Sequence, residues 1–184
     1  MLEEKNKLFA HLRLYEEKEK ALSKLDDVFE YSCMDEYNIF ITRVKDKTKL
    51  NAVWDFKKWM EPLTLARIKE ETFLNCDRLE YLILPDDLPV IKERTFYNCK
   101  NLKRVDLPVK LRKICKEAFA KCSDLMTIKM YKNVQEIEEN AFAGCNVKQI
   151  IIDKEIENLI KDSLEKIGIA NDVEIKMIDN VERI

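Results

Sequence analysis

The feature that constrains this chain most is a repeat of 23 residues. Cysteines recur at that interval, at positions 76, 99, 122 and 145. The residues around them share the frame Ile-x-x-x-x-Phe-x-x-Cys-x-x-Leu-x-x-Leu-x-Leu-Pro, which starts at Ile68, Ile91, Ile114 and Ile137. One such coil cannot bury its own apolar side chains. The coils must therefore stack and share a continuous core.

Two weaker copies flank the four clear ones. Downstream, Leu159 and Leu164 take the Ile and Phe places, and Ile167 takes the Cys place. Upstream, counting back 23 residues puts Leu50 at the Phe place and Val53 at the Cys place, with Phe56 and Trp59 at Leu places. The sequence therefore predicts a repeat region over residues 45–184, with repeats at 45–67, 68–90, 91–113, 114–136, 137–158 and 159–181.

Each repeat predicts two kinds of local structure. Its last part, Leu-x-x-Leu-x-Leu, ends in the alternation of a short strand with one buried face. The preceding Phe-x-x-Cys-x-x-Leu part spaces apolar side chains by three, which indicates a helical or 3₁₀ turn. Stacking would place the strands about 4.8 Å apart in a parallel sheet. The predicted fold class is an α/β-type repeat solenoid.

Residues 1–44 differ in kind from the repeats. An apolar stripe at spacings of three and four predicts a helix within residues 1–36, and it consists of Leu8, Leu12, Tyr15, Leu22, Leu25 and Phe29. Residues 37–44 are rich in β-branched and aromatic side chains, which predicts an edge strand. We expect this segment to form a helical cap over the open first coil. The alternative is a homodimer formed through the helix.

Composition excludes several classes of function. The 33 basic and 35 acidic side chains leave a net charge of −2, which argues against nucleic acid as a partner. The chain has 2 Gly and 1 His, and its cysteines form no Cys-x-x-Cys pair. Phosphate loops, zinc sites and His-based catalysis are therefore not expected. We predict no cofactor, no metal and no enzymatic activity.

The cysteines of the repeats have a structural interpretation. Stacked side chains point in parallel and do not easily reach the dihedral angle of a disulfide. We therefore interpret Cys76, Cys99, Cys122 and Cys145 as a ladder of buried, reduced thiols. Cys115 lies one place after its Ile, where other repeats carry charged residues, and we expect it to be exposed.

Two further features bear on location. No apolar run reaches 18 residues, so no membrane span is expected. The amino terminus lacks the apolar stretch of a secretory signal, which predicts cytoplasmic residence. If a leader has been trimmed, the prediction becomes the cell surface or secretion.

The repeat frame resembles the leucine-rich repeats of the BspA type, which have an Ala-Phe-x-x-Cys core and a Leu-x-x-Leu-x-Leu-Pro strand. The closest matches are 117–122 and 140–145. The resemblance implies a right-handed solenoid with short parallel strands on a concave side. It also implies protein recognition, in adhesion or host interaction. The glycine usual after the Ile of the repeat is replaced by Lys69, Lys92, Cys115 and Glu138, so that turn must form without a positive φ or with strain.

The candidate binding surface consists of the side chains that leave the strands between the buried Leu places. The first column is Tyr81, Arg104, Thr127, Gln149 and Asp172, and the second is Ile83, Asp106, Lys129, Ile151 and Glu174. A third, at the strand ends, is Pro85, Pro108, Tyr131, Asp153 and Lys176. Aromatic, aliphatic and charged side chains mixed in this way are typical of interface cores.

From these columns we predict a partner-binding site made of Tyr81, Ile83, Arg104, Asp106, Thr127, Lys129, Tyr131, Gln149 and Ile151. Its partner would be a protein. The alternative is a structural or self-assembling protein that associates through the N-terminal helix or the solenoid ends.

Overall fold

The structure is a computed structural model that describes residues 2–59 and 61–178. Its helices are α1 (Leu2–Asp26), α2 (Phe56–Trp59) and α3 (Glu157–Ile167). Its strands are β1 (Phe29–Cys33), β2 (Asn38–Val44), β3 (Val53–Asp55), β4 (Thr64–Ile68), β5 (Tyr81–Ile83), β6 (Val90–Ile91), β7 (Arg104–Asp106), β8 (Lys113–Ile114), β9 (Thr127–Met130), β10 (Glu136–Ile137), β11 (Gln149–Ile152) and β12 (Glu174–Met177).

The predicted strand of each repeat lies in one parallel, six-stranded sheet. Its order is β12-β11-β9-β7-β5-β3, so sequence neighbours are spatial neighbours. The middle residue of each short strand points into the core, and Leu82, Val105 and Ile128 are all buried. This arrangement confirms the stacked coils and the α/β repeat fold. The right-handed winding and the concavity of the sheet stay predictions.

A second side of the coil also consists of strands. The two-residue strands β6, β8 and β10 pair in parallel, and they hold the first residue of the repeat frame: Ile91, Ile114 and Ile137 are buried there. The sequence predicted only one strand side per coil. Two residues are too few for the alternation that reveals a strand.

The remaining side of the coil stacks the phenylalanines. Ring centroids lie 5.0 Å apart for Phe73 and Phe96, 5.1 Å for Phe96 and Phe119, and 5.3 Å for Phe119 and Phe142. Backbone bonds join the coils here as well, since the Phe119 N–H donates to the Ala141 carbonyl at 2.8 Å. The core is therefore continuous along the array, as stacking requires.

The backbone of this side makes successive tight turns. The Cys122 N–H donates to the Phe119 carbonyl at 3.3 Å, three residues back, as the predicted 3₁₀-type turn requires. Left-handed residues interrupt any continuous helix, and in the third full repeat they are Glu117 (φ 53°) and Lys121 (φ 63°). The places that lack the usual glycine are not among the left-handed residues, so that turn forms without a positive φ.

The N-terminal segment differs from its prediction in two respects. Helix α1 ends at Asp26, and Phe29 lies in β1 rather than on a helical stripe. Strand β2 is the middle strand of a sheet ordered β1-β2-β4, so the prediction of an edge strand was wrong. The reason is that β4, inside the first predicted repeat, pairs with it in parallel, with Ile41 beside Ile68.

This small sheet joins the N-terminal segment to the repeats. It crosses the predicted division between residues 44 and 45. The ring of Phe29 packs against Trp54 at 4.9 Å and against Phe73 at 5.7 Å. The cap and the solenoid therefore share one core.

The first and last repeats depart from the 23-residue step. Val53 pairs with Tyr81, which is 28 positions later, so the placement of Leu50, Val53, Phe56 and Trp59 by a fixed step was wrong. At the other end, α3 replaces the tight turns, and Leu164 and Ile167 are buried as predicted. The longer segment shifts β12, where Gln149 pairs with Glu174 and not with Asp172.

Candidate protein-binding surface

The outer sheet face consists of the side chains that the six-stranded sheet directs away from the core. Strand pairing aligns them in two columns. The first column is Val53, Tyr81, Arg104, Thr127, Gln149 and Glu174, and the second is Asp55, Ile83, Asp106, Lys129, Ile151 and Lys176. The structure thus brings together most of the predicted site residues in their predicted order.

The N-terminal end of the outer sheet face is its most apolar part. Val53 and Tyr81 are 46% and 42% exposed, and Ile83 is half-buried beside them. A groove of about 330 Å³ lies here, lined by Val53, Tyr81, Leu82, Ile83, Arg104 and Asp106. Its floor is apolar and one wall is charged, a combination that fits an apolar side chain flanked by polar groups.

The charged wall of the groove is an ion pair within one strand. Arg104 donates from Nε to Asp106 Oδ1 at 2.8 Å and from a terminal nitrogen to Asp106 Oδ2 at 3.3 Å. The Arg104 side chain is 48% exposed despite this pairing. The two-point contact orients the guanidinium plane over the sheet, where a partner can stack on it or bond to it.

Lys129 is not the exposed residue that the sequence predicted. It lies in its predicted column but is buried, with only 9% of its surface exposed. Its Nζ lies 5.8 Å from the centre of the Tyr131 ring, and Tyr131 is half-buried. The lysine therefore belongs to the packing of the sheet.

The C-terminal end of the outer sheet face is more polar and less exposed. Thr127, Gln149 and Ile151 are half-buried. Gln149 Nε2 donates to Glu174 Oε2 at 2.9 Å, and this bond lowers the pKa of the glutamate. The cross-strand contact fixes Gln149 in place, so this end offers a partner less freedom to adapt.

The predicted third column does not form an exposed row. Pro108 and Asp153 are buried. Asp153 Oδ2 accepts the backbone N–H of Lys132 at 2.8 Å, which gives that carboxylate a structural role. Lys176 belongs to the second column, opposite Ile151.

The outer sheet face carries balanced charge. Its acidic residues, Asp55, Asp106 and Glu174, are matched by Arg104, Lys129 and Lys176. A surface without excess charge does not select a partner by long-range attraction. Contact area and hydrogen bonding must supply the recognition.

Sequence reasoning missed Val53 and Asp55 as surface residues. The fixed step placed Val53 in the core and left Asp55 without a place in the frame. A usable signal was nevertheless present, because Val-Trp-Asp-Phe at 53–56 matches Arg-Val-Asp-Leu at 104–107 in its alternation of exposed and buried places.

The thiols lie on the Phe-stacking side, away from this surface. All six cysteines are free, and Cys76, Cys99 and Cys122 are buried while Cys145 is partly exposed. Hydrogen bonding to neighbouring thiols, together with burial, raises the pKa of Cys76 and of Cys122. These thiols are therefore not poised to react.

Cys115 is half-buried rather than fully exposed. Burial raises its pKa, and the nearby carboxylate of Glu138 raises it further. A thiol in such surroundings is a poor nucleophile at neutral pH.

Two other kinds of site were sought in residues 2–59 and 61–178. Within these ranges no cluster of three or more His, Cys, Asp or Glu side chains could hold a metal ion. None of the helices described there combines the length and the apolarity that crossing a membrane requires.

Stacked parallel strands with an ordered outer face define a repeat solenoid of the leucine-rich class, whose members are in general protein-interaction modules and not enzymes. The BspA type leucine rich repeat model matches residues 52–169 with six copies. The chain belongs to this family. A search of curated proteins finds no match.

Three solved structures share the fold. A leucine-rich-repeat protein of T. pallidum is 24% identical, with a TM-score of 0.59 over 82% of this chain and 62% of that one. One from Bacteroides ovatus is 19% identical, with a TM-score of 0.55 over 82% and 36%. A leucine rich cell surface protein of Faecalibacterium prausnitzii is 20% identical, with a TM-score of 0.50 over 76% and 40%. The chain thus spans less than two thirds of each.

Proposed function

We propose that this protein binds another protein through the N-terminal half of the outer sheet face. The observation that carries the proposal is the groove at Val53 and Tyr81, with the Arg104–Asp106 ion pair as its wall. Interface hot spots combine aromatic and arginine anchors with a surrounding that excludes water. Here Tyr81 and Arg104 are the anchors, and Ile83 lies between them in the groove.

The proposal narrows the predicted site. Tyr81, Ile83, Arg104 and Asp106 form its centre, and Thr127, Gln149 and Ile151 form its less exposed margin. Lys129 and Tyr131 support the sheet from within or beside it, since one is buried and the other half-buried. The partner we infer presents an apolar side chain to the groove and hydrogen-bonding groups to the ion pair.

Paired surface variants test the proposal. A partner is first captured from an extract of the native source and then purified, and its dissociation constant is measured by calorimetry. Tyr81→Ala combined with Arg104→Ala should weaken binding by about 30-fold or more, because each anchor carries about 2 kcal/mol. The melting temperature should change little, because both side chains are well exposed.

The matched control removes charge from the Phe-stacking side of the coil. Lys100→Ala combined with Lys121→Ala should leave the dissociation constant unchanged, since both lysines lie in the turn segments, away from the outer sheet face. Lost affinity in this control, with the sheet-face variant still binding, would move the site to that side.

We further propose that recognition takes place at the cell surface, in adhesion or host interaction. Support comes from a likeness of fold, since the F. prausnitzii relative is described as a cell surface protein. Protease treatment of intact native cells tests this location. Digestion of the protein before any cytoplasmic marker supports it, and protection until lysis supports cytoplasmic residence.

A second candidate function is self-association through the N-terminal helix. The observation that favours it is the exposure of three large apolar side chains on α1, namely Phe9, Leu12 and Tyr15. Measurement of the molar mass in solution separates a monomeric binding module from a self-assembling protein. A dimer that is lost when residues 1–20 are removed would support this function.

A further inference from the structure

Helix α1 packs on the body of the protein with only one of its faces. That face carries Leu14, Lys18, Ala21 and Leu25, at spacings of four and three. Ala21 and Leu25 are buried, and Leu14 and Lys18 are half-buried. Lys18 Nζ lies 5.8 Å from the centre of the Tyr37 ring, in the loop between β1 and β2. This inner face accounts for the cap.

The opposite face of α1 carries apolar side chains that nothing in the described part of the chain covers. Phe9 is 65% exposed, Leu12 is 50% exposed, and Tyr15, at the rim, is 62% exposed. Leu8 belongs to the same predicted stripe, and its side chain lies outside the described ones. A contiguous apolar patch of this kind on a helix favours association.

We propose that a second copy of this chain covers the patch, with the two α1 helices packed antiparallel about a two-fold axis. The relevant seam consists of positions 5, 9, 12, 16 and 19, which recur at spacings of four and three as core positions of a helix pair do. In an antiparallel pair, Phe9 of each copy faces Leu12 of the other. The seam thereby matches apolar with apolar at both symmetry-related places.

The charges on the seam select this direction and register. With Phe9 facing Leu12, Lys5 of each copy faces Glu16 of the other, so both ends of the apolar patch close with opposite charges. A parallel pair would instead place Lys5 against Lys5 and Glu16 against Glu16. Like charges at such places destabilise a helix pair, so the sequence of α1 favours the antiparallel arrangement.

The geometry of α1 permits such a pair. Its 25 residues span about 37 Å, and the buried residues Ala21 and Leu25 lie near its C-terminal end. The seam occupies the other end of the helix. An antiparallel pair therefore places the two solenoids at opposite ends, with both outer sheet faces left available.

This inference deepens the second candidate function and does not depend on recognition by the outer sheet face. The seam holds few apolar side chains per copy, so the dimer should form in the micromolar range or above rather than at nanomolar concentration. Sedimentation equilibrium of the full chain, from about 1 µM to about 1 mM, covers that range. A wild-type chain that stays monomeric throughout would overturn the proposal.

Two kinds of variant identify the surface. Phe9→Gln combined with Leu12→Gln removes the apolar seam while keeping good helix formers, so the dissociation constant should rise by at least about 30-fold. The matched control is Tyr81→Gln on the outer sheet face, which should leave the dimer unchanged. A dimer that persists without Phe9 and Leu12 would overturn the assignment to α1.

A charge exchange tests the register. Lys5→Glu or Glu16→Lys alone should weaken the dimer by several-fold, because each creates a like-charge contact at both ends of the seam. The double variant should restore wild-type affinity, because the opposite charges face each other again. A double variant that stays as weak as the single variants would overturn the antiparallel register and leave self-association itself standing.

Discussion

The Sγ of Cys122 donates a hydrogen bond to the backbone carbonyl oxygen of Phe96, one coil earlier, at 3.1 Å. Cys99 makes the same contact with Phe73, and Cys145 makes it with Phe119, also at 3.1 Å. The repeated cysteine therefore fills a small apolar space and also satisfies a carbonyl oxygen of the neighbouring coil. This double role explains why a thiol recurs at that place in the repeat.

Cys122→Ala should lower the free energy of unfolding by about 1 to 2 kcal/mol. The change leaves a small cavity and removes the donor that serves the Phe96 carbonyl. Urea denaturation measures the loss. Cys115→Ala is the control, since that thiol is only half-buried, and it should shift stability by less than about 0.5 kcal/mol. Equal effects of the two changes would contradict the role of the ladder.

Phe119→Ala should be among the most damaging single changes in the chain. The ring is fully buried between Phe96 and Phe142, at centroid distances of 5.1 and 5.3 Å. Removal of a buried phenylalanine typically costs about 3 to 5 kcal/mol. Thermal denaturation should show a large drop in melting temperature, whereas Met126→Ala, at a 46% exposed residue, should show almost none. An unchanged melting curve for Phe119→Ala would contradict the stacked core.

The two glycines make a matched pair of tests. A Cβ at Gly168, which ends α3 at φ 84°, would lie 2.6 Å from the Ala143 Cα. Gly168→Ala should therefore cost about 2 kcal/mol or more, through both backbone strain and overlap. At Gly144 (φ 76°) the nearest atom would lie 3.6 Å away, so Gly144→Ala should cost only about 1 kcal/mol. The opposite ranking in chemical denaturation would contradict the packing of α3 on the array.

Glu138 should make stability depend on pH in the acid range. The ion pair with Lys113, at 2.5 Å, lowers the pKa of the glutamate, and the Lys116 N–H lowers it further by donating at 2.7 Å. A carboxyl group with a lowered pKa stabilises the fold above its unfolded pKa, and this stability is lost as the pH falls through the folded pKa.

Glu138→Gln should therefore be less stable than wild type at pH 7, by about 0.5 kcal/mol for a pair this exposed. The difference should shrink as the pH falls below 4, because wild type loses the contribution that the variant never had. Urea denaturation at several pH values measures it. A difference that stays constant down to pH 3 would show that Glu138 acts without its charge.

The sequence allowed the repeating part of the fold to be predicted, since a regular step fixes the register of every strand within it. Tyr81, Arg104, Thr127 and Gln149 lie in one column for that reason. The fixed step failed where the spacing changes. Five extra residues precede β5 in the first repeat and conceal Val53, and α3 lengthens the last repeat and displaces Asp172.

Burial of single side chains was harder to predict than register. The alternation of strand residues directs Lys129 outward, but its long side chain lies beside the Tyr131 ring and is buried. Contacts of this kind depend on neighbours in other coils and not on the period. The apolar outer face of α1 was visible as a stripe, although the stripe alone could not show which of its members the body covers.

Site-specific photo-crosslinking tests the central claim, that the outer sheet face binds a protein, most directly. A photoreactive phenylalanine analogue replaces Tyr81 in one variant and Tyr97 in the other. Tyr97 is a matched tyrosine of the Phe-stacking side, between Arg94 and Lys121. The account predicts a discrete crosslink to one partner protein from position 81, lost on addition of excess unlabelled wild-type protein, and none from position 97. A competable crosslink from position 97, with none from position 81, would contradict it.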